Sequence, residues 1–170
     1  MRQLCRLGML CGLAVLTGCA GYRLGPSNGE TAGERTIQII PFDNHTLEPR
    51  LGDAVTAALR KQLQRDGTFR LATREAGDIV VRGVVTGYGR RQQSFSSEDQ
   101  ATALDYRISL TARITARERG TDRVLLDQPV TGYTLVRVGP DLTSAERQAM
   151  PLLAEDLARN VTSLLVDGTW

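Results

Sequence analysis

The run Leu16-Thr17-Gly18-Cys19 is the one short stretch of this chain whose residue types and order demand chemistry. A cysteine thiol can be acylated, and Gly18 is the small residue at which a peptidase can cut just before it. Arg2, Arg6 and an apolar run from Leu7 to Leu16 stand upstream. A charged start, an apolar stretch of about 7–15 residues and a small-residue cleavage site describe a secretory signal, too short to span a bilayer. The pattern is that of a bacterial lipobox, so residues 1–18 are expected to be removed and Cys19 to carry lipid. A single myristoyl-sized chain binds a membrane only marginally, at roughly 0.8 kcal/mol per buried CH₂, whereas a diacylglyceryl cysteine with an N-acyl chain is ample. Ala20 rather than Asp follows Cys19. By the sorting rule of enterobacteria, that favours the outer membrane.

The remaining residues ask for little reactivity. Cys5 and Cys11 leave with the signal and Cys19 is consumed by lipid, so neither a disulfide nor a thiolate zinc site is expected. His45 is the only histidine. It stands at an expected helix entrance between Asn44 and Thr46, where turn or cap hydrogen bonding explains it better than catalysis. His45 with Glu48 makes two metal ligands and no third. Asp43 and Glu48 suit the positive end of a helix dipole without any acid–base role. Gly83, Gly87 and Gly89 have glycine-motif spacing, but they lie in a strand pattern with no helix following, so a phosphate cradle is excluded. No catalytic residue, metal or cofactor is expected.

What remains is arginine. Arg107, Arg113 and Arg117 fall on the polar side of an alternating strand, as candidate contacts to a ligand or to a polar barrel lumen. Arg90 and Arg91 precede the hairpin and Arg137 follows the last strand. The planar guanidinium fork suits phosphate oxygens. The polar loop Gln92–Gln100 carries Phe95, a candidate contact anchor.

Several elements must position these groups. Thr36–Ile40 is a predicted strand stopped by Pro41. A helix is predicted next, with Pro49 in its first turn, an apolar stripe of Leu47, Leu51, Val55, Ala58, Leu59 and Leu63, and Gly67 as its left-handed cap. Phe69–Ala72 completes a β-α-β unit. Asp78–Tyr88 is a Val-rich strand, and Arg90–Ala101 is expected to be turn-like. From Leu104 to Arg117 apolar and polar residues alternate strictly, which sets one face on a core and the other on a polar surface. A tight turn at Arg119–Asp122 leads into a strand over Arg123–Val138, interrupted at Pro129. The last helix has a Thr143…Glu146 capping-box pattern, an apolar face of Leu153, Leu157, Val161, Leu164 and Leu165, and an expected kink or restart at Pro151. The expected fold class is α+β: a two-layer sandwich of a mainly antiparallel four- to five-stranded sheet packed against two helices, in the order β-α-β-β-β-β-α.

Composition fits one domain over residues 35–170, with 19–34 as a Gly-, Pro- and Ser-rich tether. The whole chain has 21 basic and 19 acidic residues. Without Arg2 and Arg6 the two classes balance, so charge gives no support to nucleic-acid binding. Lys61 is the only lysine.

In this order, Cys19-Ala20-Gly21-Tyr22, Ile39-Ile40-Pro41-Phe42-Asp43-Asn44, Gly77-Asp78-Ile79-Val80-Val81-Arg82-Gly83, Asp105-Tyr106-Arg107-Ile108 and Leu153-Ala154-Glu155-Asp156-Leu157 resemble the LptE family of lipopolysaccharide-assembly outer-membrane lipoproteins. The resemblance implies a non-enzymatic protein, lipid-anchored at the periplasmic face of the outer membrane. It further implies a 1:1 complex in which the chain plugs and helps assemble the LptD β-barrel, and binding of lipopolysaccharide. The family's ligand surface near the central hairpin falls here at Arg90, Arg91 and Phe95, with Arg137 beside them. A lipid-anchored regulator of a cell-wall synthase is the alternative, and a periplasmic hydrolase using His45 a third. The regulator would not need the long alternating hairpin.

Overall fold

The computed structural model describes residues 32–95, 103–137 and 142–168. Cys19, the tether as far as residue 31 and Trp170 lie outside them, as do the side chain of Phe95 and the loop 96–102 that follows it. The elements run β1 (Thr36–Ile39), β2 (Asp43–Asn44), α1 (Leu51–Asp66), β3 (Arg70–Leu71), β4 (Ile79–Phe95), β5 (Ala103–Glu118), β6 (Val124–Arg137) and α2 (Leu142–Val166). Strand order is β3-β1-β4-β5-β6, with the two-residue β2 also beside β4. The fold is α+β with both helices on one side of an open sheet. The sheet is mixed: β1 runs parallel to β3 and β4, β2 runs parallel to β4, and only the long β4-β5-β6 meander is antiparallel.

Alternation sets the layers. Ile108, Leu110, Ala112, Ile114 and Ala116 of β5 are completely buried toward the helices, beside Ile37, Ile79, Val81 and Val85. Leu51, Val55, Leu59 and Leu63 meet them from α1, and Leu153, Leu157, Val161 and Leu165 from α2. Each buried Leu, Ile or Val contributes about 1.5–3 kcal/mol. The helices also pack along each other, with α2 lying over β6 and the neighbouring part of β5.

Five local expectations are corrected. Leu47 does not belong to the α1 stripe; it is fully exposed ahead of the helix, which starts two residues after Pro49. Arg90–Phe95 is strand rather than turn, because β5 pairs with β4 as far as Phe95↔Ala103 and satisfies its backbone. Pro129 does not interrupt β6. It pairs with Arg113 on the outermost strand, where its missing N–H points off the free edge of the sheet. Thr143 lies within α2, and the Glu146 carboxylate accepts from Arg90 Nη1 at 2.8 Å. Pro151 sits on the exposed side of one continuous helix. Gly67 does cap α1 as expected, at φ 78° with its N–H on the Leu63 carbonyl.

The free edge of β6 is closed by the helix above it. Asp156 Oδ2 accepts from the Tyr133 N–H at 2.9 Å, and Asn160 Nδ2 donates to the Thr131 carbonyl at 2.9 Å. Between these clips Leu157 lies over Gly132, so close that a Cβ there would be 2.5 Å from the Leu157 backbone nitrogen.

At the opposite edge, Asp78 Oδ2 accepts from Thr36 N–H (2.8 Å) and Thr36 Oγ1 (2.7 Å), while Thr36 Oγ1 accepts from the Asp78 N–H (2.9 Å). The Thr36 hydroxyl bond, then its backbone bond, hold the Asp78 carboxyl below the usual carboxylate range, with help from Arg35 and Arg70. A depressed folded pKa contributes stability above the unfolded value of about 3.9, and loses it as pH falls through the folded value. Asp78→Asn should therefore melt below the native chain at pH 7, with the gap narrowing steadily below about pH 4. Thermal melts at pH 7, 4 and 3 check this; a constant gap would remove the carboxylate from the clasp.

Candidate functional site

The face of the sheet away from the helices is uncovered among the described residues, and the register decides which arginines share it. On β5, Arg107, Ser109, Thr111, Arg113, Thr115 and Arg117 point there, since their neighbours face the core. On β6 the residues opposite them include Leu135, Tyr133, Thr131 and Asp127, with Arg137 opposite Asp105. On β4 a register shift between Val85 and Gly87 changes the parity. Val80, Arg82 and Val84 face outward before it; Gly87, Gly89 and Arg91 do so after it, because a bulge inserts one residue and turns every later side chain over.

Arg90 and Arg91 therefore separate. Arg91 lies on the open face directly opposite Arg107. Arg90 points to the helix side, where its guanidinium is 2.8 Å from Glu146, and that carboxylate raises its pKa. Arg90 is thus placed with the helix packing and not with the other arginines.

The open-face arginines differ in how much of their charge is already met. Arg113 pairs with Asp127 at 2.9 Å, pulling that carboxyl below its usual range, and Arg117 pairs with Asp122 at 3.2 Å. Arg137 meets Asp105 at 3.2 Å while remaining 82% exposed. Such exposed pairs contribute about 0–1 kcal/mol each. Arg107 lies 4.7 Å over the Tyr133 ring, and Arg91 makes no ion pair among the described residues. Like charges directly opposite one another on neighbouring strands repel. The hairpin end of the open face thus holds a cation pair without an acidic partner among the described residues, with Arg137 and the exposed Leu135 and Tyr133 in a row along β6. An anion with several oxygens would relieve that repulsion.

Tyr133, Leu135 and Asp105 were not singled out from the sequence. Only the β5–β6 register, Asp105↔Arg137 and Arg107↔Leu135, brings them to the arginines. His45 lies in the turn after β2, its N–H on the Val85 carbonyl. Asn44 organises that turn, accepting from Thr46 N–H and Oγ1 and donating to the Glu48 carbonyl. Among the described residues no three His, Cys, Asp or Glu side chains gather as metal ligands, and no helix is long and apolar enough to cross a membrane.

The turn ends on a strained residue. Arg50, the N-cap of α1, is left-handed at φ 65°, ψ 5° and makes no side-chain cap bond. That conformation costs a non-glycine residue roughly 1–2 kcal/mol. Arg50→Gly is expected to raise stability by about 1 kcal/mol in denaturant titration, and a loss would show that the side chain has a stabilising contact.

An open mixed sheet carrying two helices on one face is a small α+β fold that occurs in several bacterial proteins. A hypothetical protein of Chlamydia trachomatis superposes at a TM-score of 0.58 and 9% identity, covering 82% of this chain and 98% of that one. The uncharacterized lipoprotein B of Nitrosomonas europaea superposes at 0.52 and 8% identity, covering 86% and 90%. A minor lipoprotein of Acinetobacter baumannii does so at 0.51 and 14%, covering 78% and 92%. At these identities the likeness is one of fold. The sequence decides the family: residues 34–165 match the lipopolysaccharide-assembly family LptE, and the chain belongs to it. No curated protein matches the chain by sequence.

Proposed function

We propose that this chain is a lipoprotein anchored through Cys19 at the periplasmic face of the outer membrane. There it plugs and helps assemble the LptD β-barrel in a 1:1 complex, and binds lipopolysaccharide on its way to the outer leaflet. It performs no catalytic step. Membership of the lipopolysaccharide-assembly family carries the reading. The uncompensated Arg91–Arg107 pair beside Arg137 supports the ligand, since lipopolysaccharide brings phosphates to guanidinium forks and acyl chains to Tyr133 and Leu135. Arg113 and Arg117, already paired and farther from the hairpin end, suit contacts to a polar lumen wall.

The test is a pull-down of the tagged, lipidated chain from its own outer membrane in mild detergent, with mass spectrometry of the companions. A stoichiometric large β-barrel is the expected result. Recovery of a cell-wall synthase, or of no barrel, would overturn the reading.

A further inference from the structure

The sheet guards the edge at β6 and leaves another stretch of edge open. Pro129 and the Asp156 and Asn160 bonds from α2 blunt the β6 side. The inner strand β4, by contrast, becomes an edge halfway along its length. Its neighbours on the β1 side end early: β1 pairs with Ile79–Val81, β2 with Val84 and Val85, and the His45 N–H closes on the Val85 carbonyl. Asn44 then folds the chain into the turn that leads to α1. Beyond Val85, β4 runs on to Phe95 with β5 as its one neighbour among the described residues. Thr86–Phe95 contains no proline to block a further strand.

Pairing decides which backbone groups this stretch offers. On β6, Thr131 and Tyr133 direct their backbone groups off the sheet, so Gly132 and Thr134 are the residues that bond to Leu110 and Ile108 of β5. Ser109 and Thr111 alternate with those two and bond toward β4, to Gly89 and Gly87. Tyr88, Arg90 and Gln92 alternate in turn with the glycines, and so direct N–H and C=O off the open edge. Tyr88 and Arg90 line a hollow of about 510 Å³ whose other wall is the turn His45–Glu48, with Leu47 fully exposed on it. Paired strands lie about 4.8 Å apart, which sets an added strand in this hollow. Toward the helices the hollow continues, through Tyr88, into one of about 780 Å³ with Pro49, Leu51, Ala54 and Met150 as apolar wall. Toward the open face stands Arg91, which makes no ion pair among the described residues.

We propose that the open edge of β4 accepts an extended segment of a partner protein as an added strand, one in which apolar and acidic residues alternate. Main-chain bonds to Tyr88, Arg90 and Gln92 hold such a segment, and the surroundings of its alternate side chains select it. Side chains on the helix side enter the apolar hollow, and those on the other side bring carboxylates to Arg91. Charge disfavours a second copy of this chain as the occupant. Antiparallel self-pairing centred on this stretch would set Arg90 and Arg91 of one chain against those of the other. The proposal goes beyond the lipopolysaccharide reading and does not rest on it.

The test uses the full chain in detergent micelles and a synthetic nonapeptide of alternating valine and glutamate, with hydrogen exchange read by NMR. On adding the peptide, exchange should slow roughly tenfold or more at the N–H groups of Tyr88, Arg90 and Gln92. Gly87 and Gly89, already bonded to β5, should not change. A valine–lysine peptide should bind roughly tenfold more weakly. Gln92→Pro removes one offered N–H at an exposed edge position and should weaken the glutamate peptide about tenfold, whereas Gln92→Ala keeps that N–H and should stay within about twofold. Should the proline variant fold poorly, the alternating exchange pattern of the native chain still decides. Absence of binding, equal binding of both peptides, or slowed exchange confined to other residues overturns the proposal. Slowing that appears with protein concentration alone also overturns it, and gives the edge to a second copy. Barrel recovery and lipopolysaccharide binding are measured separately, so failure here is distinguishable from failure of the assembly role.

Discussion

Gly132→Ala is expected to destabilise the chain by about 2–3 kcal/mol, lowering the melting temperature by roughly 10 °C. The added Cβ would lie 2.5, 2.8 and 2.9 Å from Leu157 N, Cα and Cβ. These are mostly backbone atoms, so α2 itself would have to move. Such movement also strains the flanking Asp156 and Asn160 bonds that close the edge of β6. Gly89→Ala is the reference. Its Cβ would meet only Ser109 Oγ, at 3.7 Å, and Gly89 has no positive φ. A strand glycine of that kind is expected to be replaced with no loss, or a small gain. Thermal melts of both variants decide the matter, and equal behaviour would mean that α2 does not ride on Gly132.

The second large effect concerns ligand binding. Arg91→Asp, Arg107→Asp and Arg137→Asp combined should weaken lipopolysaccharide binding roughly 100-fold or more, since charge-assisted contacts contribute about 1.5–3 kcal/mol each and are not fully additive. Stability should change little, because Arg91 and Arg107 already face each other as like charges and two carboxylates there would do the same, while the exposed Arg137–Asp105 pair contributes at most about 1 kcal/mol. Arg90→Gln should leave affinity within about twofold. It should instead cost a few tenths to 1 kcal/mol of stability through the lost pair with Glu146, in line with other half-exposed ion pairs. Titration of both variants with purified lipopolysaccharide, each checked by circular dichroism, separates the roles. Binding that depends on Arg90 and ignores Arg91 would reverse the assignment of faces.

Much of the architecture was legible because it rests on local periodicity. The alternation matched the observed face of each β5 side chain from Asp105 to Arg117, and the three-to-four spacing from Leu51 to Leu63 and from Leu153 to Leu165 marked both buried helix faces. Gly67 was legible as a cap from its type and place alone. The misreadings share one cause. Arg90–Phe95 carries no apolar alternation, and its extended form comes from pairing with β5, a partner that local pattern cannot reveal. Leu47 has the spacing of the stripe but sits where the turn built by Asn44 holds the chain out of the helix. Glu146 has the spacing of a capping box, yet a cation from a distant strand takes its carboxylate.

By itself, then, the sequence determined the two amphipathic helices, the two-faced β5 and the family, while lipidation at Cys19 stands as an expectation from the Leu16–Cys19 pattern. These follow from residue type and from periods of two and 3.6, properties of adjacent residues. Only the tertiary structure decided which arginines share a face. One extra residue between Val85 and Gly87 reverses the parity of β4, sends Arg90 to Glu146 and leaves Arg91 facing Arg107. The close seat of Leu157 over Gly132 was likewise set by three dimensions. Each arises from contacts between segments far apart in the chain, whose register no local pattern encodes.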